Sequence, residues 1–198
     1  MQKKTTILTL ASASLAASLL LAGCSSTPAE TPATDSTSAP SSDVSTEANT
    51  ADEMFAMMMI EHHQQAVEMS DIILAKDDVA SEVADLAQRI KDAQGPEIDR
   101  MNSWLETWGA SDMSGMDHGA SMDGMLSEED LQALEAADGP TASKLFLQQM
   151  IEHHEGAVKM AETQLSEGKN PDALELAQQI IDAQTVEIQE MRDLLDTL

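Results

Sequence analysis

Two stretches of this chain place a thioether and two imidazoles on one side of a helix. The first is Met59-Ile60-Glu61-His62-His63 and the second is Met150-Ile151-Glu152-His153-His154. At 100° per residue, His62, His63 and Ala66 fall within about 60° of Met59. Met69 borders the same face, and Met150, His153, His154, Ala157 and Met160 repeat the arrangement. The face is also the apolar one, so each stretch turns imidazole and thioether toward a core. Burying four imidazoles without partners is costly, which favours a ligand role over inert packing. Thioether with imidazole is a soft donor set that suits Cu(I); imidazole also accepts Cu(II), and silver(I) follows by the same softness. Carboxylate-bridged di-iron bundles use Glu-x-x-His on two helices. Met59 and Met150 stand where that motif needs Glu, which moves the expected metal from iron toward copper.

A third set of soft donors lies between the two stretches. Met113, Met116, His118, Met122 and Met125 are spaced among Gly, Ser and Asp. So polar and Gly-rich a segment has little use for Met in a core, and it is expected to be a flexible metal-capturing loop. Met54, Met57 and Met58 read more readily as core filler. No Ser-nucleophile signature, Gly-rich phosphate loop or Tyr occurs, so no catalytic constellation is expected.

The elements that must position these groups come from an internal repeat. Met59 to Met69 matches Met150 to Met160 at an offset of 91, and Phe55 matches Phe146 at the same offset. Ala87 to Gln94 then matches Ala177 to Gln184, with Glu97, Ile98 and Met101 matching Glu187, Ile188 and Met191, at an offset of 90. Each half reads as a helical hairpin. Thr50 with Glu53 predicts a capping box for the first helix, which runs to about Ala75. Asp77 or Asp78 is the expected cap of the second, which runs to about Trp108 and closes at Gly109. Gly95-Pro96 predicts an interruption and kink in that helix. In the second half helices are expected over about 141–167 and 170–197, with Asn170-Pro171 starting the latter. A short helix from Ser127 to Ala137 precedes them. Four long helices in two similar hairpins make an all-α four-helix bundle the natural packing. Counting residues from each turn places Gln94, Glu97 and Met101 opposite one His pair, and Gln184, Glu187 and Met191 opposite the other. Glu97, Met101, Glu187 and Met191 are therefore additional candidate ligands.

The N-terminal part reads differently. Residues 1–23 have a short basic start, Lys3-Lys4, and an apolar run too short for a comfortable membrane span, as in a signal peptide. Leu21-Ala22-Gly23-Cys24 resembles the bacterial lipobox, which predicts lipidation of Cys24, the single Cys of the chain. Residues 24–50 are then a Ser/Thr/Pro tether, spanning roughly 25–30 Å as a coil. The folded domain is expected over 51–198, with repeat one at about 51–108, the Met-rich linker at about 109–126 and repeat two at about 141–198. Beyond the leader, 8 basic residues face 36 acidic ones. This excludes nucleic acid and anionic lipid as natural partners and favours cations. The membrane is expected to be met through the lipid anchor alone, on the outer face.

At these residues the chain resembles the bacterial family called "domain of unknown function 305". The resemblance rests on Met-Ile-x-His-His-x-x-Ala-Val-x-Met in both halves, on Ala-Gln-x-Ile-x-x-Ala-Gln with the Glu-Ile and Met that follow, and on the Gly-Met-Asp-His-Gly linker. It covers about 51–198. It implies a ferritin-like four-helix bundle, export, and binding of copper and silver in metal resistance or trafficking. Carried over residue by residue, it points to Met59, His62, His63, Met69, Met150, His153, His154 and Met160 as ligands. Gly95-Pro96 departs from the family pattern and bears on how Glu97 and Met101 face the first His pair. The expected function is thus a lipoprotein that sequesters or passes on copper, with a copper-trafficking partner not specified by the sequence. Two other classes fit the same composition: a ferritin-like metal-dependent oxidase, and a structural or adaptor lipoprotein without metal.

Overall fold

The computed structural model describes residues 47–110 and 123–198. The leader, Cys24, most of the tether, and Met113, Met116, His118 and Met122 of the linker lie outside the described residues. Within them all regular structure is helical: α1 Thr50–Leu74, α2 Ser81–Trp108, α3 Glu128–Ala136, α4 Gly139–Glu167 and α5 Pro171–Leu195. No helix among the described residues is long and apolar enough to cross a membrane.

Local chemistry sets the helix ends. The capping box of α1 sits one residue earlier than expected, on Asn49. Its side chain accepts from Asp52 N at 2.9 Å, and Asp52 Oδ2 accepts from Asn49 N at 2.8 Å. Asn caps better than Thr, and Asp at the third helical position completes the box as Glu would. Neither Asp77 nor Asp78 caps α2. Asp78 takes a left-handed φ of 59° in the turn. The cap is Ala80, whose N–H is satisfied from outside the hairpin, by Ser143 Oγ of α4 at 3.2 Å. Asn170 caps α5 through Asp172 N and Ala173 N, with Pro171 at the first helical position, where its missing N–H costs nothing. Gly109 ends α2 at φ 72°.

The expected break at Gly95-Pro96 is absent: α2 runs through it. Proline removes one N–H from the ladder and leaves the carbonyl four residues back without its partner. Pro96 and Asp92 are both exposed, so water can take up that carbonyl and the helix survives on its solvent side.

α1 packs with α2, α4 packs with α5, and the hairpins meet chiefly through α1 against α4. The core has two apolar parts. One joins Phe55, Met59 and Ile60 of α1 to Met101 and Trp104 of α2, Ala157 and Ala161 of α4, and Leu176 and Ile180 of α5. The other joins Met69 and Ile73 of α1 to Leu86 and Ile90 of α2, Phe146 and Met150 of α4, and Ile188 and Met191 of α5, with Leu134 of α3. Along every long helix, the residues between these two parts are the polar ones.

Candidate metal centre

The polar layer between the apolar parts is made of His62, His63, Gln94, His153, His154 and Gln184, all buried. α1 and α4 each contribute two imidazoles from adjacent positions. α2 and α5 each contribute a glutamine, and one turn further on a glutamate. His63 Nε2 lies 2.8 Å from Glu97 Oε2, and His154 Nε2 lies 2.8 Å from Glu187 Oε2. Both glutamates are half-buried. Nε2 can donate to the carboxylate in each pair, and a neutral ring held in that way leaves Nδ1 as an acceptor. Neither Nδ1 has a hydrogen-bond partner. A carboxylate holding one ring nitrogen while the other faces a ligand is a recurrent way of orienting metal-binding histidine.

His62 and His153 meet each other across the α1–α4 seam. Their ring centroids are 3.7 Å apart with the planes tilted by 40°. None of their four ring nitrogens makes a hydrogen bond of good geometry, although the backbone of Asp123 beside His62 and that of His62 beside His153 each favour the protonated ring slightly. Burial, with the neighbouring imidazole of His63, holds His62 far below its ordinary value of 6.5, to about 3. Burial likewise pushes His153 well down, helped by the neighbouring imidazoles of His62, His154 and His63. His62 and His153 are thereby held in the neutral form, which is the form that binds metal.

Among the described residues, ten buried side-chain polar atoms have no hydrogen-bond partner, and eight of them belong to this layer. Leaving such an atom unpaired costs about 1–3 kcal/mol. Natural cores rarely carry eight together. The arrangement has the capacity to bind something that accepts lone pairs. Among the described residues no three His, Cys, Asp or Glu side chains stand in metal-holding geometry, so the four imidazoles are not already gathered around one ion position.

The remaining sequence candidates are spread along the bundle. Met59 and Met101 are fully buried in the first apolar part, next to the layer in sequence; Met150 and Met191 are fully buried in the second. Met69 lies deeper in the second part, and Met160 is half-buried beside the first. Met125 is half-buried in the segment that returns from the linker.

That segment reveals two residues that sequence reasoning missed. Gln65 of α1 grips it at both ends of its amide: Nε2 donates to Leu126 O at 3.1 Å, and Oε1 accepts from Leu126 N at 2.7 Å. On α4 the equivalent position is Gly156. A Cβ there would stand 1.9 Å from Asp123 O, so only glycine lets the segment lie this close. Gly124, at φ 84°, likewise packs against the backbone of Glu152 and His153. The returning chain is thereby fastened level with the histidines. The signal was present as a mismatch, Gln against Gly, inside an otherwise matching repeat.

The fold and this layer define a class: an all-α bundle of two repeated hairpins with a buried imidazole cluster at their junction. Residues 52–195 match the family described as Domain of unknown function (DUF305), and the chain belongs to that family. Solved structures agree. A putative secreted DUF305 protein from Streptomyces coelicolor is 36% identical, with a TM-score of 0.70 over 74% of this chain and 91% of its own. A DUF305 fragment from Deinococcus radiodurans is 31% identical, with a TM-score of 0.69 over 76% of this chain and 99% of its own. CopM in its Cu(I)-bound form is 31% identical, with a TM-score of 0.62 over 74% of this chain and 96% of its own. CopM has also been solved bound to Cu(II) and to silver. No curated protein is similar enough to count as a relative.

Proposed function

We propose that the protein is an exported copper-binding protein that holds Cu(I), and also Cu(II) or Ag(I), in the imidazole layer, for sequestration, tolerance or trafficking. The observation that carries this reading is the layer itself: four buried imidazoles, each with at least one ring nitrogen that has no hydrogen-bond partner. Met59 and Met150, three residues before His62 and His153, are the nearest thioethers in sequence and complete a soft set. Kinship with CopM, which has been solved with these ions, supports the choice of metal. Glu97 and Glu187 are engaged by His63 and His154, which supports binding rather than oxidase chemistry. Kinship with a putative secreted protein supports export. Anchoring through a lipid on Cys24 is part of the same reading.

The geometry adds a condition. With a metal–nitrogen bond of about 2 Å, two imidazoles on one tetrahedral ion have centres about 5 Å apart. At 3.7 Å, His62 and His153 stand closer than that. An ion shared between them must part α1 from α4 or turn a ring.

Titration of the purified protein with Cu(I) against a chromophoric competitor tests the reading. Tight binding that disappears when His62, His63, His153 and His154 are all replaced is the expected result. Unchanged affinity in that variant removes the layer from the function, and no copper uptake by the parent protein removes the function. Cleavage and lipid labelling of the full chain, lost in Cys24→Ser, is the matching test of the anchor.

A further inference from the structure

The pseudo-symmetry of the bundle is broken on one flank. On the second half, α3 lies across the outer side of α1 and α4. Leu134 is fully buried there in one apolar cluster with Met69, Ile73, Ala142 and Phe146, and Ile72 and Leu145 pack against that cluster. Two hydrogen bonds from Lys76 Nζ, to Glu135 O at 2.7 Å and Ala137 O at 2.9 Å, hold the helix down, as does Gln149 Nε2 to Asp130 O at 3.1 Å. Moving by the repeat offset of 91 carries this covered face onto the other flank. No helix lies there among the described residues. What remains is an open groove of about 260 Å³ lined by Met54, Phe55, Met58, Met160, Thr163 and Glu167.

The groove is not a copy of the covered face with its plug removed. Where the covered side has Leu145 and Gln149, the open side has Met54 and Met58. Where it has Ile72 and Ile73, the open side has Thr163 and Gln164. Where Lys76 donates to the carbonyls of α3, the open side has the carboxylate of Glu167. Phe55 and Met160 keep the places of Phe146 and Met69, but the aliphatic Leu145, Ile72 and Ile73 are gone, thioethers stand at 54 and 58, and the rim charge has changed sign. Packing does not require Met at 54 and 58, because the same fold accepts Leu and Gln at the equivalent places. Met54 is 41% exposed, a poor use of a large apolar side chain. Three thioethers from two helices, reachable from solvent and beside a carboxylate, match a soft monovalent cation better than an apolar peptide. Thioether also needs no deprotonation to bind.

We propose that Met54, Met58 and Met160 form a second soft-cation site, for Cu(I) or Ag(I), on the open flank and separate from the histidine layer. The test uses the whole protein, Ag(I) as a redox-inert probe, and methionine labelled with 13C at the ε-methyl. Native mass spectrometry counts the ions, and NMR locates them. Met54→Leu with Met58→Leu keeps side-chain bulk and should lose one Ag(I) equivalent while retaining the ions held by the histidines. In the parent, the ε-methyl signals of Met54, Met58 and Met160 should shift together as Ag(I) is added. The proposal is overturned if the double variant holds as many Ag(I) ions as tightly as the parent. It is overturned equally if the three signals ignore Ag(I) but broaden as protein concentration rises, which would make the flank a contact between copies. In a His62→Leu, His153→Leu background the groove shifts should persist, so failure of either site is read independently of the other.

Discussion

The two hairpins agree on the residues of the layer where they meet and disagree on those around it. Inside, His62, His63, Gln94 and Glu97 are matched one for one by His153, His154, Gln184 and Glu187, with equal 2.8 Å histidine–glutamate contacts. Away from the layer, Gln65 is matched by Gly156, Asp52 by Ser143, and Met54 and Met58 by Leu145 and Gln149. A feature kept in both copies is one the shared centre needs twice. A feature present in one copy serves something that happens on one side only: fastening the linker, seating α3, or leaving a groove open.

The largest effect should come from the shared centre. Replacing His62 and His153 together by Leu should weaken Cu(I) binding at least about 1,000-fold, about 4 kcal/mol, in competitor titration. It should also abolish the copper-dependent rise in melting temperature, which needs a ligand bound to the native state. The metal-free variant should melt no lower than the parent, because four unpartnered nitrogens leave the core. A lower melting point would mean that those nitrogens have partners. The two single variants should be equivalent, and a clear inequality would break the symmetry of the centre.

The next effect concerns Asp52 and Ser143, which occupy the same repeat position. Asp52 is fully buried and accepts from Asn49 N, Gln164 Nε2, Lys169 N and Asn170 N. It ties the first turn of α1 to the α4–α5 turn. Ser143 makes a lighter version of this tie, donating to Gly139 O and accepting from Ala80 N. Asp52→Ala should cost about 3 kcal/mol and Ser143→Ala about 1 kcal/mol in urea unfolding, since the first strands several charge-assisted donors.

Acid should weaken the metal-free fold through the centre. The folded value of His62, about 3, lies below its ordinary 6.5. Between these limits the unfolded chain binds a proton that the native state refuses. Stability therefore falls as pH drops from about 6.5 toward about 3, by about 1.4 kcal/mol per pH unit for such a histidine. Above that window it contributes nothing. Urea unfolding from pH 7 to 4 should show the slope in the parent and a shallower one in His62→Leu.

Two finer tests remain. Glu97→Gln and Glu187→Gln should each weaken copper binding by about tenfold, and equally, since both orient a histidine. Different losses would show that the halves have diverged inside as well as outside. Gln65→Ala removes the double grip on Leu126 and should cost about 1 kcal/mol, with faster amide exchange at Leu126. It has no counterpart at Gly156.

The repeat and the 3.6-residue period made the inner face readable. Met-x-x-His-His in each half, and the depth of Gln94 and Glu97 below their turn, are local or nearly local facts. They were enough to bring His63 to Glu97 and His154 to Glu187. What they left open was how the hairpins meet. The contact between His62 and His153 depends on the packing of α1 on α4, which no local pattern encodes. Pro96 misled because its penalty depends on which side of the helix it occupies, and α2 turns it to solvent. The Asn49 cap was missed in favour of Thr50 by a single residue. The cover provided by α3 was invisible for the same reason as the His62–His153 contact: Leu134 finds its place only once both hairpins exist.

The 3.7 Å contact between His62 and His153 joins a residue to its own counterpart. In a two-fold pair, a residue that touches its equivalent lies beside the axis. Neither hairpin owns the centre of this layer, because His62 comes from one and His153 from the other. One hairpin alone would have to dimerise with a copy of itself to assemble it. The covalent doubling of the chain turns that encounter into an intramolecular one, independent of protein concentration. It also frees the outward faces of the two copies to evolve apart.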